Sequence, residues 1–78
     1  MGQHERKVKI MIEKAFMILE AITQTRGNNS LNIISDHVDI PRSTVHRLLR
    51  MMQDCGMVDY DPDRGYLLSG KLVRMCLA

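Results

Sequence analysis

The chain has 78 residues, of which 45% are apolar and 26% charged, and its formal net charge is +2. This length predicts one domain that buries only ~60% of its unfolded surface, which leaves little room for a deep catalytic pocket. The apolar fraction is too high and the net charge too small for a disordered chain. No apolar run approaches the ~18 residues of a membrane span, and the polar N-terminus is unlike a signal peptide. We therefore expect a cytoplasmic protein without membrane association.

The two cysteines, Cys55 and Cys76, are too few for the disulfide scaffold of a small secreted domain. Both are expected to be small apolar fillers of the core. His4, His37 and His46 lie in different segments, and no Cys/His pair has the spacing of zinc ligands. Neither a metal nor a cofactor is therefore expected.

Residues 1–9 are rich in basic side chains and are predicted to form a flexible basic arm, although an ordinary solvated terminus would look the same. A first amphipathic helix is predicted from Ile12, because apolar residues recur from there at helical spacing. Its expected buried stripe consists of Ile12, Ala15, Phe16, Leu19 and Ile22. Gly27 and the Asn-Asn pair after it are expected to end the helix, since both residue types tolerate a positive φ.

Two more helices are predicted in close succession. Ser30 has the hydroxyl of a helix N-cap, and the second helix that follows it carries a stripe of Leu31, Ile34 and Val38. After a turn at Asp39 and Ile40, a third helix is predicted from Pro41 to Asp54, because proline fits at a helix start. Its apolar stripe consists of Val45, Leu48, Leu49 and Met52. Gly56 is expected to end it in a left-handed conformation.

A β-hairpin and a last helix complete the pattern. Residues 57–60 and 66–68 are predicted as strands around a turn rich in Asp, Pro and Gly. Lys71 to Ala78 is predicted as a short apolar helix that needs a partner to be stable. The expected organisation is therefore an arm (1–9), one domain (10–69) and a last short helical segment (70–78).

The order of helix, helix, short turn, helix and hairpin predicts a mainly α winged helix-turn-helix fold. Between Pro41 and Gly56 there are three arginines against one acidic residue, Asp54. These basic side chains lie away from the predicted core stripe, so the third helix has the properties of a helix that enters the major groove of DNA.

The run from Pro41 to Leu49, Pro-Arg-Ser-Thr-Val-His-Arg-Leu-Leu, resembles the recognition-helix signature of IclR-type bacterial transcriptional regulators. Residues 13–20, 55–58 and 66–72 are similar to the flanking elements of that family. The chain departs from the family pattern at Ile33, where a Glu is frequent, and at Asp39, where a Gly is frequent. Because Asp adopts the left-handed conformation at modest cost, the turn is expected to survive.

The resemblance implies a sequence-specific DNA-binding domain of a transcriptional regulator, and a repressor is favoured. It also implies a homodimer or tetramer on a double-stranded operator. A small-molecule effector would bind only to a C-terminal domain outside this sequence, and residues 70–78 would form the start of a linker helix to that domain. No enzymatic activity is implied.

Seven residues are candidate DNA contacts. Arg47 is the candidate for a base contact, the alternatives being a phosphate contact or an ion pair with Asp54. Hydroxyl groups and free backbone N–H groups in the first turn of the third helix suit a phosphate. His46 is either a groove contact or a plain surface residue, and Arg64 either enters the minor groove or pairs with a neighbouring Asp. The full candidate set is Arg42, Ser43, Thr44, His46, Arg47, Arg50 and Arg64.

Two functions are alternatives to DNA binding: that of a protein-interaction module and that of an enzyme. A winged-helix protein-interaction module would have an apolar or acidic third helix, which the arginines argue against and the acidic wing (Asp59, Asp61, Asp63) mildly supports. An enzyme would need a catalytic cluster. Ser43 and His46 are one helical turn apart, but no cavity or oxyanion-binding group is predicted around them.

Overall fold

The computed structural model describes residues 2–25 and 29–77. Its elements are, in chain order, α1 (Gln3–Gln24), α2 (Leu31–Val38), α3 (Arg42–Asp54), β1 (Val58–Asp61), β2 (Gly65–Leu68) and α4 (Gly70–Leu77). β1 and β2 form an antiparallel hairpin, the wing. The predicted winged helix-turn-helix fold is confirmed, and the bounds of every element after α1 lie within one residue of their predictions.

The predicted start of α1 is wrong. The helix begins at Gln3, nine positions before Ile12, so the expected flexible arm is helical. Residues 3–10 are all exposed, so local interactions, and not burial in the core, stabilise this part of the helix. Their Gln, Glu, Arg and Lys side chains are good helix formers, and Lys9 pairs with Glu13 one turn later at 3.8 Å. The predicted stop at Gly27 and Asn28 lies outside the described residues.

The core lies where the C-terminal half of α1 meets α2, α3 and the wing. Its largest fully buried side chains are Ile18, Ile34, Val45, Leu49 and Val58. The stripe predicted for α3 is buried in full, and Ile34 and Val38 of the α2 stripe are buried with Leu31 partly covered. Each of these stripes recurs every three to four residues, so one face of each helix meets the core.

The stripe predicted for α1 is wrong at two of its five positions, whereas the other three pack in or against the core. Ile12 is 64% exposed and Phe16 is 63% exposed, whereas Ile18 and Ala21 are fully buried. The helix carries apolar residues around most of its circumference, and only its C-terminal half reaches the other elements. The expectation for the cysteines is wrong as well, since both Cys55 and Cys76 are exposed. Each lies at or near the C-terminal end of a helix, beyond the part that packs.

The turn between α2 and α3 sets the angle of the third helix. Ser30 caps α2, and its hydroxyl accepts a hydrogen bond from the Ile33 N–H at 3.3 Å. At the other end Asp39 adopts the left-handed conformation, with φ of 55°, and its N–H donates to the Ser35 carbonyl at 3.0 Å. Asp39 therefore adopts the left-handed conformation that glycine usually adopts at the end of a helix, as expected. α3 begins three residues later.

The wing is attached to the helices through Asn29, just before α2. Its N–H donates to the Arg64 carbonyl, its carbonyl accepts from the Tyr66 N–H, and both distances are 2.9 Å. The Asn29 side chain is buried and accepts a hydrogen bond from the Thr25 hydroxyl at the end of α1. The tip of the wing is thus held against the helical part of the domain.

Candidate nucleic-acid interface

The outer face of α3 is the side opposite its buried stripe. Because a helix turns by about 100° per residue, side chains spaced three and four apart share this face. All of its members are exposed. They line one shallow depression together with Met51 and Asp54. The members that we call the outer face of α3 are Ser43, His46, Arg47 and Arg50.

The guanidinium groups of this face are available to a ligand. Among residues 2–25 and 29–77, neither Arg47 nor Arg50 forms an ion pair within 4.0 Å. Arg47 therefore does not pair with Asp54, the alternative that its sequence left open. Arg47 is free to meet an anion or a base edge without first breaking a protein contact.

Arg42 and Thr44 occupy a different place from the outer face. Arg42 is exposed beside the turn between α2 and α3, where it lines a depression with Asp36 and Asp39. Thr44 is half-buried, and its N–H donates to the Pro41 carbonyl at 3.0 Å. The backbone N–H of Thr44 is thus already used within α3.

A groove separates α3 from the wing, and we call it the wing groove. Its volume is about 510 Å³. It brings together three of the seven candidate residues, two from α3 and one from the tip of the wing. Its polar and aromatic lining includes Ser30, His46, Arg50, Tyr60, Asp63 and Arg64.

Two of the three acidic residues of the wing do not present a free carboxylate to the wing groove. Asp61 shapes the turn, because its carboxylate accepts hydrogen bonds from the Asp63 N–H at 2.8 Å and the Arg64 N–H at 3.4 Å. Asp59 alternates with Tyr60 along β1 and so lies on the opposite face of the hairpin. Asp63 is therefore the wing carboxylate that lines the groove. The acidic character of the wing affects the groove less than the composition of the hairpin suggests.

Tyr60 and Tyr66 are paired across the two strands and form the aromatic wall of the wing groove. Their ring centroids are 5.0 Å apart in an edge-to-face arrangement. Burial raises the pKa of Tyr66 above its usual 10.0, and the neighbouring Tyr60 raises it further. Arg50 opposes this by favouring the phenolate, so its charge acts on the Tyr66 ring.

Residues 11–62 match the model of the IclR helix-turn-helix domain, which covers α2, α3 and β1 entirely. The chain belongs to the IclR helix-turn-helix family. The crystal structure of HmgR from Pseudomonas aeruginosa is similar to this chain, with 30% sequence identity and a TM-score of 0.76. The similarity covers 85% of this chain and 28% of the HmgR chain. No curated protein sequence matches the chain significantly.

Membership of the IclR family confirms the resemblance seen in the run from Pro41 to Leu49. It identifies the fold as that of a DNA-binding regulator. Within residues 2–25 and 29–77, no group of three or more His, Cys, Asp or Glu side chains could hold a metal ion. In the same part of the chain, no helix is both long and apolar enough to cross a membrane.

Sequence reasoning missed two residues of this IclR domain that line the wing groove. Ser30 was interpreted only as a helix cap, although its hydroxyl hydrogen is still able to donate outward. Tyr60 was placed on the first strand without a role, although it directly precedes the turn. A hairpin that closes between Asp61 and Gly65 brings Tyr60 opposite Tyr66, and this register was the available signal.

Proposed function

We propose that this IclR domain binds double-stranded DNA with sequence specificity and inserts α3 into the major groove. The observation that carries the proposal is the outer face of α3, where Arg47 and Arg50 are exposed and form no ion pair within the described residues. An α-helix fits the width of the major groove, and arginine there pairs bidentately with guanine. The proposed mechanism is binding without chemistry.

The candidate residues are given separate roles. Arg47 contacts a base, and His46 contacts the groove beside it. Ser43 and Arg42 contact backbone phosphates at the N-terminal end of α3, which fix position without reading sequence. Thr44 contributes the weakest contact, because it is half-buried and its N–H is bonded to Pro41. Arg50 and Arg64 both line the wing groove.

We further propose that the chain works as the N-terminal part of a longer cytoplasmic regulator and that this regulator is a repressor. The chain spans 28% of the length of HmgR. In such an arrangement α4 is the linker helix to an effector-binding domain. Two copies of this domain would then read two half-sites of an operator, which multiplies the contacts of a single domain.

A protein-interaction module is the second candidate function. A groove between α1 and α3, about 320 Å³ in volume, is lined almost wholly by apolar side chains. Exposed apolar surface of this kind often binds a protein partner. Met51 lines both this groove and the depression on the outer face of α3, so the two surfaces adjoin along α3.

An amide NMR titration with a mixed-sequence DNA duplex, at low and moderate salt, tests the first function against the second. DNA binding predicts salt-sensitive shifts concentrated in residues 42–50, because phosphate contacts weaken as salt rises. An absence of shifts at low salt, in a folded sample, would contradict DNA binding and favour the protein-interaction module.

A further inference from the structure

We propose that the wing groove holds one phosphate of the DNA backbone, gripped jointly by Arg50 of α3 and Arg64 of the wing. This inference rests on the proposed function, because it assumes that α3 lies in the major groove. Both arginines would then fix the position of the domain on the DNA backbone without reading sequence. Arg64 would contact a phosphate instead of entering the minor groove.

The shape of the domain and of DNA together lead to this placement. The major groove is bounded on both sides by a sugar-phosphate backbone, and it is about 12 Å wide. When a helix lies in that groove and the wing reaches past its edge, one backbone passes between the helix and the wing. In this domain the space between α3 and the wing is the wing groove. The groove is therefore where that backbone would pass.

The chemistry of the groove suits a phosphate. Arg50 and Arg64 come from opposite walls, and neither forms an ion pair within the described residues. Because both guanidinium groups line one groove, an anion held there would offset the repulsion between their positive charges. The hydroxyl groups of Ser30 and Tyr60 add neutral donors to the same lining. Guanidinium and hydroxyl donors are the usual partners of DNA phosphates.

One carboxylate works against the anion. Asp63 lines the wing groove beside Arg64, while Asp61 is bonded to the turn and Asp59 lies on the other face of the hairpin. The groove therefore has two arginines against a single carboxylate, with His46 as a further donor at its edge. This balance favours one phosphate, and it argues against a second phosphate deeper in the groove.

The test is a salt titration of binding to a fluorescein-labelled mixed-sequence duplex, followed by anisotropy. R50Q and R64Q are each expected to weaken binding roughly tenfold, because each removes a charged hydrogen-bond donor. The slope of log affinity against log salt counts the phosphates that are neutralised, at about 0.9 for each. If both arginines grip one phosphate, the double variant lowers the slope by about 0.9. Two separate phosphates would lower it by about 1.8 and would overturn the shared site.

The control variant is R74Q on α4, which changes the net charge by the same amount. Arg74 is exposed and lines neither the wing groove nor the outer face of α3. It is expected to change the affinity and the salt slope little. A loss with R74Q equal to that with R50Q would mean that only net charge matters, and would overturn the site.

The remaining outcomes separate this inference from the proposed function. If the unmodified domain binds no duplex at low salt, both fail. If it binds but R50Q and R64Q leave affinity and slope unchanged, only the wing-groove site fails. An altered base preference in R50Q, measured by selection from a random duplex pool, would make Arg50 a base reader. Amide shifts of the groove residues with inorganic phosphate as strong as those with the duplex would assign the site to a free anion, which also overturns the inference.

Discussion

The Ser69 hydroxyl donates a hydrogen bond of 2.6 Å to the carbonyl of Gly56, thirteen positions earlier in the chain. It also accepts from the Leu72 N–H at 3.0 Å, and so caps the start of α4. One buried side chain therefore joins the end of α3, the end of the wing and the beginning of α4. The angle at which α4 leaves the domain is fixed relative to the recognition helix at this point.

Replacing Ser69 with alanine is expected to lower the free energy of unfolding by about 1–3 kcal/mol. The loss combines a helix cap with a buried carbonyl that is left without its donor. Urea denaturation measures it, with Ser43→Ala as the matched control, because Ser43 is exposed and makes no hydrogen bond through its side chain among the described residues. Equal stability of the two variants would contradict the capping role.

Replacing Gly65 with alanine is expected to destabilise the domain by at least about 2 kcal/mol. Gly65 has φ of +85°, which strains any L-residue, and a Cβ there would collide with the Asn29 carbonyl and lie 2.9 Å from the Ser30 nitrogen. Gly70→Ala is the control, since its Cβ would meet only the flexible end of Arg74, at 3.2 Å. Thermal denaturation that ranks the two variants in the reverse order would argue against the close approach at Asn29.

The buried face of α1 can be located with a pair of conservative variants. Ile18→Val removes a methyl group from a fully buried side chain and is expected to cost about 0.5–1.5 kcal/mol. Ile12→Val changes a side chain that is 64% exposed, and it is expected to cost less than about 0.5 kcal/mol. Urea denaturation of both variants checks the difference. A larger loss of stability in Ile12→Val than in Ile18→Val would support the stripe predicted from the sequence, in which Ile12 is buried.

Replacing Arg47 with alanine is expected to abolish base preference while leaving much of the non-specific affinity. A bidentate base contact discriminates by about 1–3 kcal/mol, whereas the phosphate contacts do not read sequence. Selection from a random duplex pool measures the preference, and Arg74→Ala is the control. A preference unchanged from that of the original domain would move the base contact away from Arg47.

Stability is expected to decline at alkaline pH because of Tyr66. Burial raises the pKa of Tyr66 in the folded domain above the value of 10.0 expected for the unfolded chain. The folded state therefore holds the phenolic proton more tightly, and this contribution is complete below pH 10 and lost as the pH rises through the folded-state pKa. Urea midpoints measured across this range should fall less steeply for Tyr66→Phe. Parallel curves for both proteins would contradict the prediction.

The helix-turn-helix unit was predictable from the sequence because its signals are local. The α3 stripe from Val45 to Met52 follows a single helical period, the Ser30 cap directly precedes α2, and Gly56 ends α3 with φ of +80°. The outer face of α3 follows from the same period. These features need no knowledge of which other element packs against the helix.

What the sequence could not predict depends on contacts between distant parts of the chain. The apolar residues of α1 surround most of the helix, so its period cannot tell Ile12, which is exposed, from Ile18, which is buried. The bridge from Asn29 to Gly65 joins a polar residue to a turn glycine, and neither residue type signals a strand. The wing groove needs that bridge, because its two walls come from α3 and from the wing.

The bridge between Asn29 and Gly65 also orders the events of folding. The residues that it joins are 36 positions apart (65 − 29), and α2, α3 and β1 all lie between them. Closing so long a loop costs entropy that only an already compact chain offsets, whereas the helices form from local contacts. We therefore expect the wing to dock after α3 has formed, so that its amide hydrogens gain protection last during refolding. In that order of events, Arg47 and Arg50 already share one face of α3 before docking of the wing brings Arg64 to the wing groove.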